Sequence, residues 1–582
     1  MSKAKPLPSE ERPWEKYYPK DKLGAQVPHT SLYEALVKEN ADNMDGIAFV
    51  QACRNDSKIT YSDFINLTGS VAKSLIALDV APGAEIAATF KNAVEGIALV
   101  FGKSRVGAFS HLIDPTNNPR EIYRMLCEAN AKLLFASQEF AGYLAGNLAG
   151  TGVETLVVMP SDDGSNDVSA LADEAVRILD WEAFIGVGSS VELGDPYIPA
   201  ADEGSIVVYT GGSTGRSKGV ILSDYAFVAK YYREAWSRLK WGRGRITLCS
   251  LPATIGYGLS EGVTIPLLAG ACGIIVDCYA IPKFAEFVLK YRPKDAACSP
   301  IHMQYFVNSP LISDDTDLSF MEMFPSGGDG MSLEADVMVR EFLRAHGAND
   351  SYGQGCGFTE TAGAFCFGQG IRNKPGGMGI PLIGNTCGVF DTETGTELGF
   401  GETGEWAVRT DTAMLGYFGS ASEKDAEALR VHDDGSVWLH PGDIVHMDED
   451  GVIYMHDRVS RTFNLDGMKV YPSALESILS THPAIAKCVV SGVKVGGAEG
   501  ASITDSKVPI INAELNPGYR GKEAEIATEL VGMLEQKAQT YIRVSGIVFR
   551  EQIPFTSRGK VDYQLLESEA LESGATKTVV QF

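Results

Sequence analysis

The feature that most constrains the fold is an alternation of short apolar segments with helical patterns across the first 300 residues of this 582-residue chain. GAEIAATF (83–90) is typical of a buried strand, and residues 92–108 have a helical pattern. FSHLID and KLLFAS predict further strands on either side of a helix over 118–130. Because strands that alternate with helices form parallel sheets covered on both faces, we expect a doubly wound α/β body in two similar lobes, over about 30–384.

The alternation of strands and helices continues after residue 220 and gives way to a different pattern at about residue 385. Apolar residues at helical spacing follow Ser223, which is a plausible N-cap, and ITLCSLP, ACGIIVD and AACSP are strand candidates. Shorter strands with Gly/Asp turns then predict a β-rich, barrel-like subdomain over about 385–458. A third pattern, of mixed helices and strands, follows Arg458. We therefore expect an N-terminal domain over 1–458 and a small, mobile α+β C-terminal domain over 459–582.

Charge and cysteine usage restrict the class of protein. The formal net charge of −25 and the lack of Lys/Arg clusters argue against a nucleic-acid partner. The ten cysteines form no C-x-x-C pair, and most lie in apolar runs, which is typical of free thiols in a reducing compartment. The polar N-terminus has no signal-peptide core, and the longest apolar stretch, Val263–Val276, is too short to span a membrane. We expect a cytoplasmic protein without a transmembrane segment.

A glycine-rich loop follows the apolar strand Ser205–Tyr209 and ends at Lys218. Glycines let backbone N–H groups approach phosphate oxygens, hydroxyls donate further hydrogen bonds, and the lysine adds a positive charge. Gly219 stands where the nucleotide-binding motif G-x-x-x-x-G-K-[ST] needs a hydroxyl, so that motif is excluded. The composition indicates a phosphate site, with an ordinary strand-to-helix turn as the alternative.

Four segments in register support a family resemblance. They are YTGGSTGRSKGV (209–220), QGCGFTET (354–361), the run HPGDIVHMDEDGVIYMHDRVSRTFNLDGMKVYPSALE (440–476) and IPFTSRGKVDYQLLE (553–567). Together they resemble the motifs of the adenylate-forming superfamily, which comprises acyl-CoA synthetases, adenylation domains and luciferases. The resemblance is strongest to the acyl-CoA synthetase branch. It implies a ligase that activates a carboxylic acid with ATP to an acyl-adenylate, releases pyrophosphate and passes the acyl group to the thiol of CoA.

The resemblance also implies roles for particular residues in binding ATP. Glu360 would hold Mg²⁺, a hard cation that prefers oxygen ligands, and Thr359 would contact the α-phosphate. Asp443 would accept hydrogen bonds from the ribose hydroxyls, with Arg458 assisting. The residues that would cradle the β- and γ-phosphates are Thr210, Gly211, Gly212, Ser213, Thr214, Gly215 and Lys218. The segment on the adenine side would be Cys356, Gly357 and Phe358.

The C-terminal part would supply a second set of functions. Lys560 would reach across from the C-terminal domain to bridge the substrate carboxylate and the α-phosphate, a role that suits a flexible ammonium group. The hinge between the adenylating and thioester-forming states would lie near Ser460. Gly467 would lie in the loop that lines the thiol tunnel. Catalysis would thus depend on Lys560, Glu360, Thr210 and Lys218.

Three residues depart from the family pattern. Cys356 stands where the family usually has a tyrosine that stacks on adenine, so the base would lean on Phe358 or Tyr352 instead. Ile255 replaces a histidine near the acyl pocket, and Asp457 replaces a glycine. These changes keep open the alternative of a catalytically weak nucleotide-binding pseudoenzyme. An acyl-AMP ligase that loads a carrier protein is a further alternative to CoA transfer.

Some residues in these segments also fit other roles. His440, Asp443 and His446 form a His/Asp-rich run, for which a metal site is a less favoured alternative to a solvated turn. Glu360 and Lys560, taken in isolation, also fit a helix cap or turn and solvated surface. The acyl pocket would be formed by Ile255, Tyr257, Gly327 and Gly328. Since these groups are small or apolar and no lysine or arginine accompanies them, we expect a monocarboxylate with an apolar or aromatic tail.

Overall fold

The computed structural model describes residues 5–171, 176–210, 217–237, 242–465, 468–494, 507–538, 544, 546–554 and 561–572. It contains the predicted two helix-covered lobes, a β-rich part and a small α+β part, so the fold class predicted from the sequence is confirmed. Of the predicted site residues, Gly211 to Gly215, Gly467 and Lys560 lie outside the described residues.

The first lobe is built on an eight-stranded sheet. Its strands, in spatial order, are Gly416–Tyr417, Lys218–Ser223, Gly204–Thr210, Phe109–Leu112, Glu85–Thr89, Leu133–Ser137, Thr155–Met159 and Arg177–Asp180. The last six are parallel, and the first two are antiparallel additions at one edge. Along Glu85–Thr89, Ile86 and Ala88 enter one apolar cluster while Ala87 enters another. The sheet is therefore buried on both faces, as a doubly wound fold requires.

Helices cover both faces of this sheet. On one face Tyr61–Ala77 packs against Val94–Val106 and Trp181–Val187. Pro119–Ala129 and Gln138–Leu144 contribute to the cluster on the other face. The predicted helices over 92–108 and 118–130 are present, each shorter by one or two residues at its ends.

The second lobe has a five-stranded sheet joined to a four-stranded one. The first has the order Asp295–Ala296, Ile246–Cys249, Cys272–Ile275, Ile47–Gln51 and Ser57–Thr60. The second has the order Phe324–Ser326, Tyr352–Phe358, Gly363–Phe367 and Ile380–Pro381. Bridges between Asp295 and Met323 and between Cys298 and Ser326 connect the two. The helices of this part of the chain are Leu32–Glu39, Asp224–Ser237, Ile265–Leu268, Phe284–Tyr291, Pro300–Val307 and Leu333–Ala345, with a π-helix at Gly258–Thr264.

The β-rich part is an antiparallel sheet. Its strands are Leu429–Val431, Val437–Leu439, Gly404–Arg409, Asp443–Met447 and Ile453–Arg458, with Thr386–Phe390 paired to Gly404–Arg409 and a short helix at Asp425–Ala428. The C-terminal part has its own apolar core. It comprises the hairpin Phe463–Leu465 and Met468–Val470, the sheet Ile485–Lys494, Lys507–Leu515 and Gly546–Arg550, and the helices Pro472–Ser480, Glu523–Lys537 and Tyr563–Glu572.

Short helices complete the described elements. The α-helix Pro8–Glu11 lies near the N-terminus. The 3-10 segments are Pro13–Tyr17, Ile281–Lys283, Thr359–Thr361, Gly370–Arg372, Gly419–Lys424 and Pro517–Tyr519. Within the described ranges, no helix combines the length and hydropathy that a membrane span needs.

The path of the chain after the glycine-rich loop differs from a strand-to-helix turn. The chain returns as the strand Lys218–Ser223, which pairs antiparallel with Gly204–Thr210, and only then enters the helix Asp224–Ser237. Ser223 caps that helix as expected, since its Oγ accepts a hydrogen bond from Ala226 N at 3.1 Å. The strands on either side of the loop therefore pair antiparallel, and the helix begins only after the second strand.

Candidate active site

A cleft of about 840 Å³ opens where the parallel strands of both lobes end and where the β-rich part meets them. Folds of this type bind ligands at such strand ends. The cleft brings together most of the predicted site residues that the structure describes. Those that line it are Thr210, Lys218, Ile255, Tyr257, Gly327, Gly328, Cys356, Gly357, Phe358, Thr359, Glu360 and Arg458.

Tyr417 links the two charged residues at the phosphate end of the cleft. Lys218 Nζ donates to the Tyr417 hydroxyl at 2.8 Å, and that hydroxyl donates to Glu360 Oε1 at 2.8 Å. The ammonium also lies 4.0 Å from the centre of the tyrosine ring, within the range of a cation–π contact. Lysine, tyrosine and glutamate therefore form one hydrogen-bonded chain across the cleft wall.

Backbone pairing sets this arrangement. Tyr417 pairs with Val220 on the strand that begins at Lys218, and Met414 N donates to the Glu360 carbonyl at 2.8 Å. Burial lowers the pKa of Lys218, and the negative charge of Glu360 opposes that effect. Burial and the neighbouring Glu360 raise the pKa of Tyr417, so its hydroxyl stays protonated and keeps donating. Sequence analysis missed Tyr417 because a tyrosine on a two-residue edge strand carries no chemical pattern.

Asp443 is a buried carboxylate beside the cleft. Its side chain is 1% exposed, and Arg458 Nε lies 3.0 Å from Oδ1 in an ion pair without hydrogen-bond geometry. Neither carboxylate oxygen accepts a hydrogen bond from any residue in the described part of the chain. Burial raises the pKa of Asp443 to about 6, against the lowering effect of Arg458. Since buried acceptors are normally satisfied, this carboxylate fits a ligand that presents hydroxyl donors, such as a ribose.

The segment predicted to lie beside adenine has one aromatic side chain at the cleft. Phe358 lines the cleft and packs edge-on against Trp406, with ring centres 5.3 Å apart. Tyr352, the other aromatic proposed to replace the missing tyrosine, is buried in the core of the second lobe and contacts Met331. Cys356 also lines the cleft, and burial raises the pKa of its thiol well above the ordinary value. The thiol is therefore protonated and offers contact surface rather than a nucleophile.

The acyl end of the cleft combines small residues with one tyrosine. The Tyr257 hydroxyl donates to the carbonyls of Pro325 and Cys298 at 3.0 and 3.2 Å, so it is directed away from a substrate. Gly328 has φ of +84°, a conformation that other residues rarely adopt. Glu261 also lines this cleft, and sequence analysis did not identify it. A single glutamate before an apolar stretch gave no reason to single it out.

The histidines around Asp443 do not form a metal site in the described part of the chain. His446 Nδ1 contacts His456 Nε2 at 2.7 Å, whereas His440 Nε2 contacts His432 Nε2 at 2.9 Å. The described residues contain no group of three or more metal-ligating side chains. The alternative that His440, Asp443 and His446 share a metal ion is therefore not supported by the geometry.

Asp457, the departure that replaces a glycine, joins the β-rich part to the C-terminal part. Its Oδ2 accepts from Ser473 N at 2.9 Å, at the start of the helix Pro472–Ser480. Its Oδ1 accepts from Arg458 N at 2.8 Å and lies 3.5 Å from the Arg461 guanidinium. Ser460, the predicted hinge, lies between these contacts and lines the cleft.

Fold and site together define an adenylate-forming enzyme: Thr210, Lys218 and Glu360 line one end of the cleft, small residues line the other, and a buried carboxylate lies beside it. The family model described as "AMP-binding enzyme" matches residues 36–418, and the chain belongs to that family. The predicted class, an AMP-forming acid–thiol ligase of the acyl-CoA synthetase type, is thereby confirmed.

Individual relatives agree with this assignment. The chain is 25% identical to a 4-coumarate–CoA ligase of Vanilla planifolia over 515 residues, which is 87% of each chain. An anthranilate CoA ligase solved in complex with anthranoyl-AMP superposes with a TM-score of 0.76 at 20% identity, over 94% of this chain and 99% of the other. ATP-bound MatB from Rhodopseudomonas palustris superposes with a TM-score of 0.77 at 20% identity, over 92% and 99%. At these identities the solved structures establish the fold.

Proposed function

We propose that this protein activates a monocarboxylic acid with ATP and transfers the resulting acyl group to the thiol of CoA. The observation that carries the proposal is that one cleft contains the Lys218–Tyr417–Glu360 chain and a pocket of small residues, and that beside it lies the Asp443 carboxylate, which accepts no hydrogen bond from a described residue. These three parts match a ribose, a phosphate chain and an acyl group. The curated relatives, which are CoA ligases by name, favour the same reaction.

In the first step, a carboxylate oxygen of the acid forms a bond to the α-phosphorus of ATP while the bond to pyrophosphate breaks. ATP supplies the leaving group, and Mg²⁺ held by Glu360 would neutralise phosphate charge. The residues of the chain must bring two anions together and hold them in line. Lys218 and Arg458 supply positive charge on this cleft, and Thr359 would contact the α-phosphate.

The second step replaces AMP by the CoA thiol. In this proposal the C-terminal domain, residues 459–582, rotates about Ser460 relative to residues 1–458. Lys560 serves the first step from the C-terminal domain, and the region near Gly467 serves the second. The hydrogen bond from Ser473 N to Asp457 connects the two parts on either side of Ser460.

The remaining expectations are part of the same proposal. CoA is preferred over a carrier protein as acceptor because the curated relatives are named as CoA ligases. A pseudoenzyme is disfavoured because Glu360 and Arg458 line one cleft and Asp443 lies beside it. Cytoplasmic location is proposed from the cysteines, all ten of which are unpaired.

The test is release of pyrophosphate from Mg-ATP across a panel of fatty, aryl and amino acids, with and without CoA. Acid-dependent release that rises with CoA, together with an acyl-CoA product, is the expected result. Release without a CoA effect would favour the carrier-protein alternative. ATP binding without release from any acid would overturn the proposal and favour the pseudoenzyme.

A further inference from the structure

Arg124 connects the helix Pro119–Ala129 to the strand that begins at Lys218. Its guanidinium nitrogen Nη2 donates a hydrogen bond to the Ser217 carbonyl at 3.1 Å. Ser217 is buried and directly precedes Lys218, at the point where the chain leaves the glycine-rich loop. The two bonded residues lie 93 positions apart, so this bond fixes the start of the strand to a helix that packs on the same lobe.

Two glutamates of the same helix hold the guanidinium in place. Glu121 Oε2 accepts from Arg124 Nε at 3.1 Å and from Nη2 at 2.9 Å, and Glu128 Oε2 accepts from Nη1 at 2.5 Å. The glutamates lie one turn before and one turn after the arginine, so the three side chains share one face of the helix. The Arg124 side chain is 19% exposed and donates from all three of its nitrogens, which gives the guanidinium one defined orientation.

Glu128 extends this contact to the segment that carries Tyr417. Its Oε1 accepts a hydrogen bond from Ser420 Oγ at 2.8 Å, three residues after the tyrosine. Asp425, a few residues further along, accepts from Tyr417 N at 2.7 Å. The helix face therefore contacts both segments whose side chains form the Lys218–Tyr417 hydrogen bond at the phosphate end of the cleft.

We propose that Arg124 is a positioning residue for the β- and γ-phosphates of ATP, which acts by holding Lys218 at the phosphate end of the cleft. This inference rests on the proposed function and adds to it a residue outside the recognised motifs. Arg124 does not line the cleft, so it acts through the backbone of Ser217. Because the reach of a flexible lysine depends on where its backbone starts, displacement of this strand end weakens the contact with phosphate.

The first test compares nucleotides that differ in their phosphates. Calorimetry measures the binding of ATP, AMP and pyrophosphate with Mg²⁺ and without an acid, so that no turnover occurs. Arg124→Met keeps an apolar stem of similar length and removes every donor. The loss of a hydrogen bond from a charged donor is expected to weaken the binding of ATP and pyrophosphate about 10-fold. The affinity for AMP should not change, because AMP lacks the two phosphates, whereas a general loss of structure would weaken all three ligands.

Arg54→Met is the matched control. The Arg54 side chain is 16% exposed, and it donates to Glu95 Oε1 at 2.7 Å and to the Ser161 carbonyl at 3.0 Å. It thus has the same kinds of partner as Arg124, and it does not line the cleft either. Both variants should lower the midpoint of thermal unfolding by similar amounts. Only Arg124→Met should change the affinity for ATP and pyrophosphate.

Kinetics separate failure of this inference from failure of the proposed function. In pyrophosphate release, Arg124→Met should raise the KM for ATP about 10-fold and leave the KM for the acid unchanged. If the wild-type protein binds ATP but activates no acid, the proposed function fails, and the loss of ATP affinity without loss of AMP affinity still supports the inference. Equal weakening of ATP and AMP in Arg124→Met, or equal weakening of ATP in Arg54→Met, would overturn the inference while leaving the ligase in place. Unchanged ATP affinity in Arg124→Met would overturn it as well.

Discussion

Tyr417 donates a 2.8 Å hydrogen bond to Glu360, and it joins an edge strand of the first lobe to the turn that would hold Mg²⁺. The same hydroxyl accepts a hydrogen bond from the Lys218 ammonium, so the tyrosine lies between the lysine and the glutamate. Direct pairing of the two charges would leave neither available for phosphate or metal. The tyrosine thus keeps both groups ready for a nucleotide.

Replacing this hydroxyl tests that role. Tyr417→Phe should raise the KM for Mg-ATP and lower kcat/KM for pyrophosphate release by about 10- to 100-fold, because two charge-assisted hydrogen bonds are lost. Steady-state kinetics with ATP as the varied substrate measures the effect. Tyr197→Phe is the control, since Tyr197 also donates to a glutamate at 2.8 Å but away from the cleft. Equal, small effects of both substitutions would contradict a special role for Tyr417.

The buried Asp443 carboxylate is expected to lower the stability of the nucleotide-free protein above its pKa. Its pKa is raised to about 6, so folding disfavours its charged form, and its stabilising contribution is complete below pH ~4 and lost as pH rises through about 6. Asp443→Asn should therefore stabilise the nucleotide-free protein at pH 8 by about 3 kcal/mol, with a smaller gain at pH 5. Thermal unfolding at the two pH values measures this. A lower unfolding midpoint of the variant at pH 8 would contradict the argument.

The same carboxylate predicts how ATP affinity depends on pH. In the proposed role, an ionised Asp443 would accept hydrogen bonds from both ribose hydroxyls, whereas the protonated form would accept them less well. The affinity of the wild-type protein for ATP should therefore fall as pH decreases through about 6. Asp443→Asn should bind ATP about 10-fold more weakly at pH 8 and lose most of this pH dependence. Isothermal titration at pH 5.5 and 8 provides the comparison, and a parallel fall in both proteins would assign the effect to another group.

Much of the fold could be predicted from the sequence, because strands that alternate with helices bury their apolar faces as a parallel sheet covered by helices. The hairpin strand Lys218–Ser223 was not predicted, since its apolar residues resemble those of the helix that follows. Tyr417 was missed for another reason. Its contact with Lys218 joins residues 199 positions apart, and local pattern carries no information about such pairs. Glu261 became visible only when the π-helix placed it on the cleft wall.

Lys560 should separate the two half-reactions. Lys560→Ala is predicted to abolish formation of the acyl-adenylate, because the bridge between the two anions is lost, and to leave thioester formation from preformed acyl-AMP largely intact. Each half-reaction is measured by itself, with ATP and acid for the first and with acyl-AMP and CoA for the second. Equal loss of both would contradict rotation of the C-terminal domain between two states.

Asp457 should control how firmly the C-terminal part is held. Asp457→Ala removes the acceptor for Ser473 N and a charge beside Arg461, a loss of about 1–3 kcal/mol in the stability of this junction. Faster cleavage by trypsin at Arg458 or Arg461 is the expected result. Asp450→Ala is the control, because Asp450 is half-exposed and its ion pairs contribute little. Equal protease resistance of the two variants would contradict a stabilising role of the Asp457–Ser473 hydrogen bond.

The most direct test of acid activation follows an oxygen atom. The best acid from the panel is supplied with ¹⁸O in its carboxylate, together with Mg-ATP and CoA, and the products are weighed by mass spectrometry. Attack of the carboxylate on the α-phosphorus predicts that AMP carries one ¹⁸O atom when the thioester forms. Label in inorganic phosphate, or unlabelled AMP, would contradict an acyl-adenylate and with it the central claim.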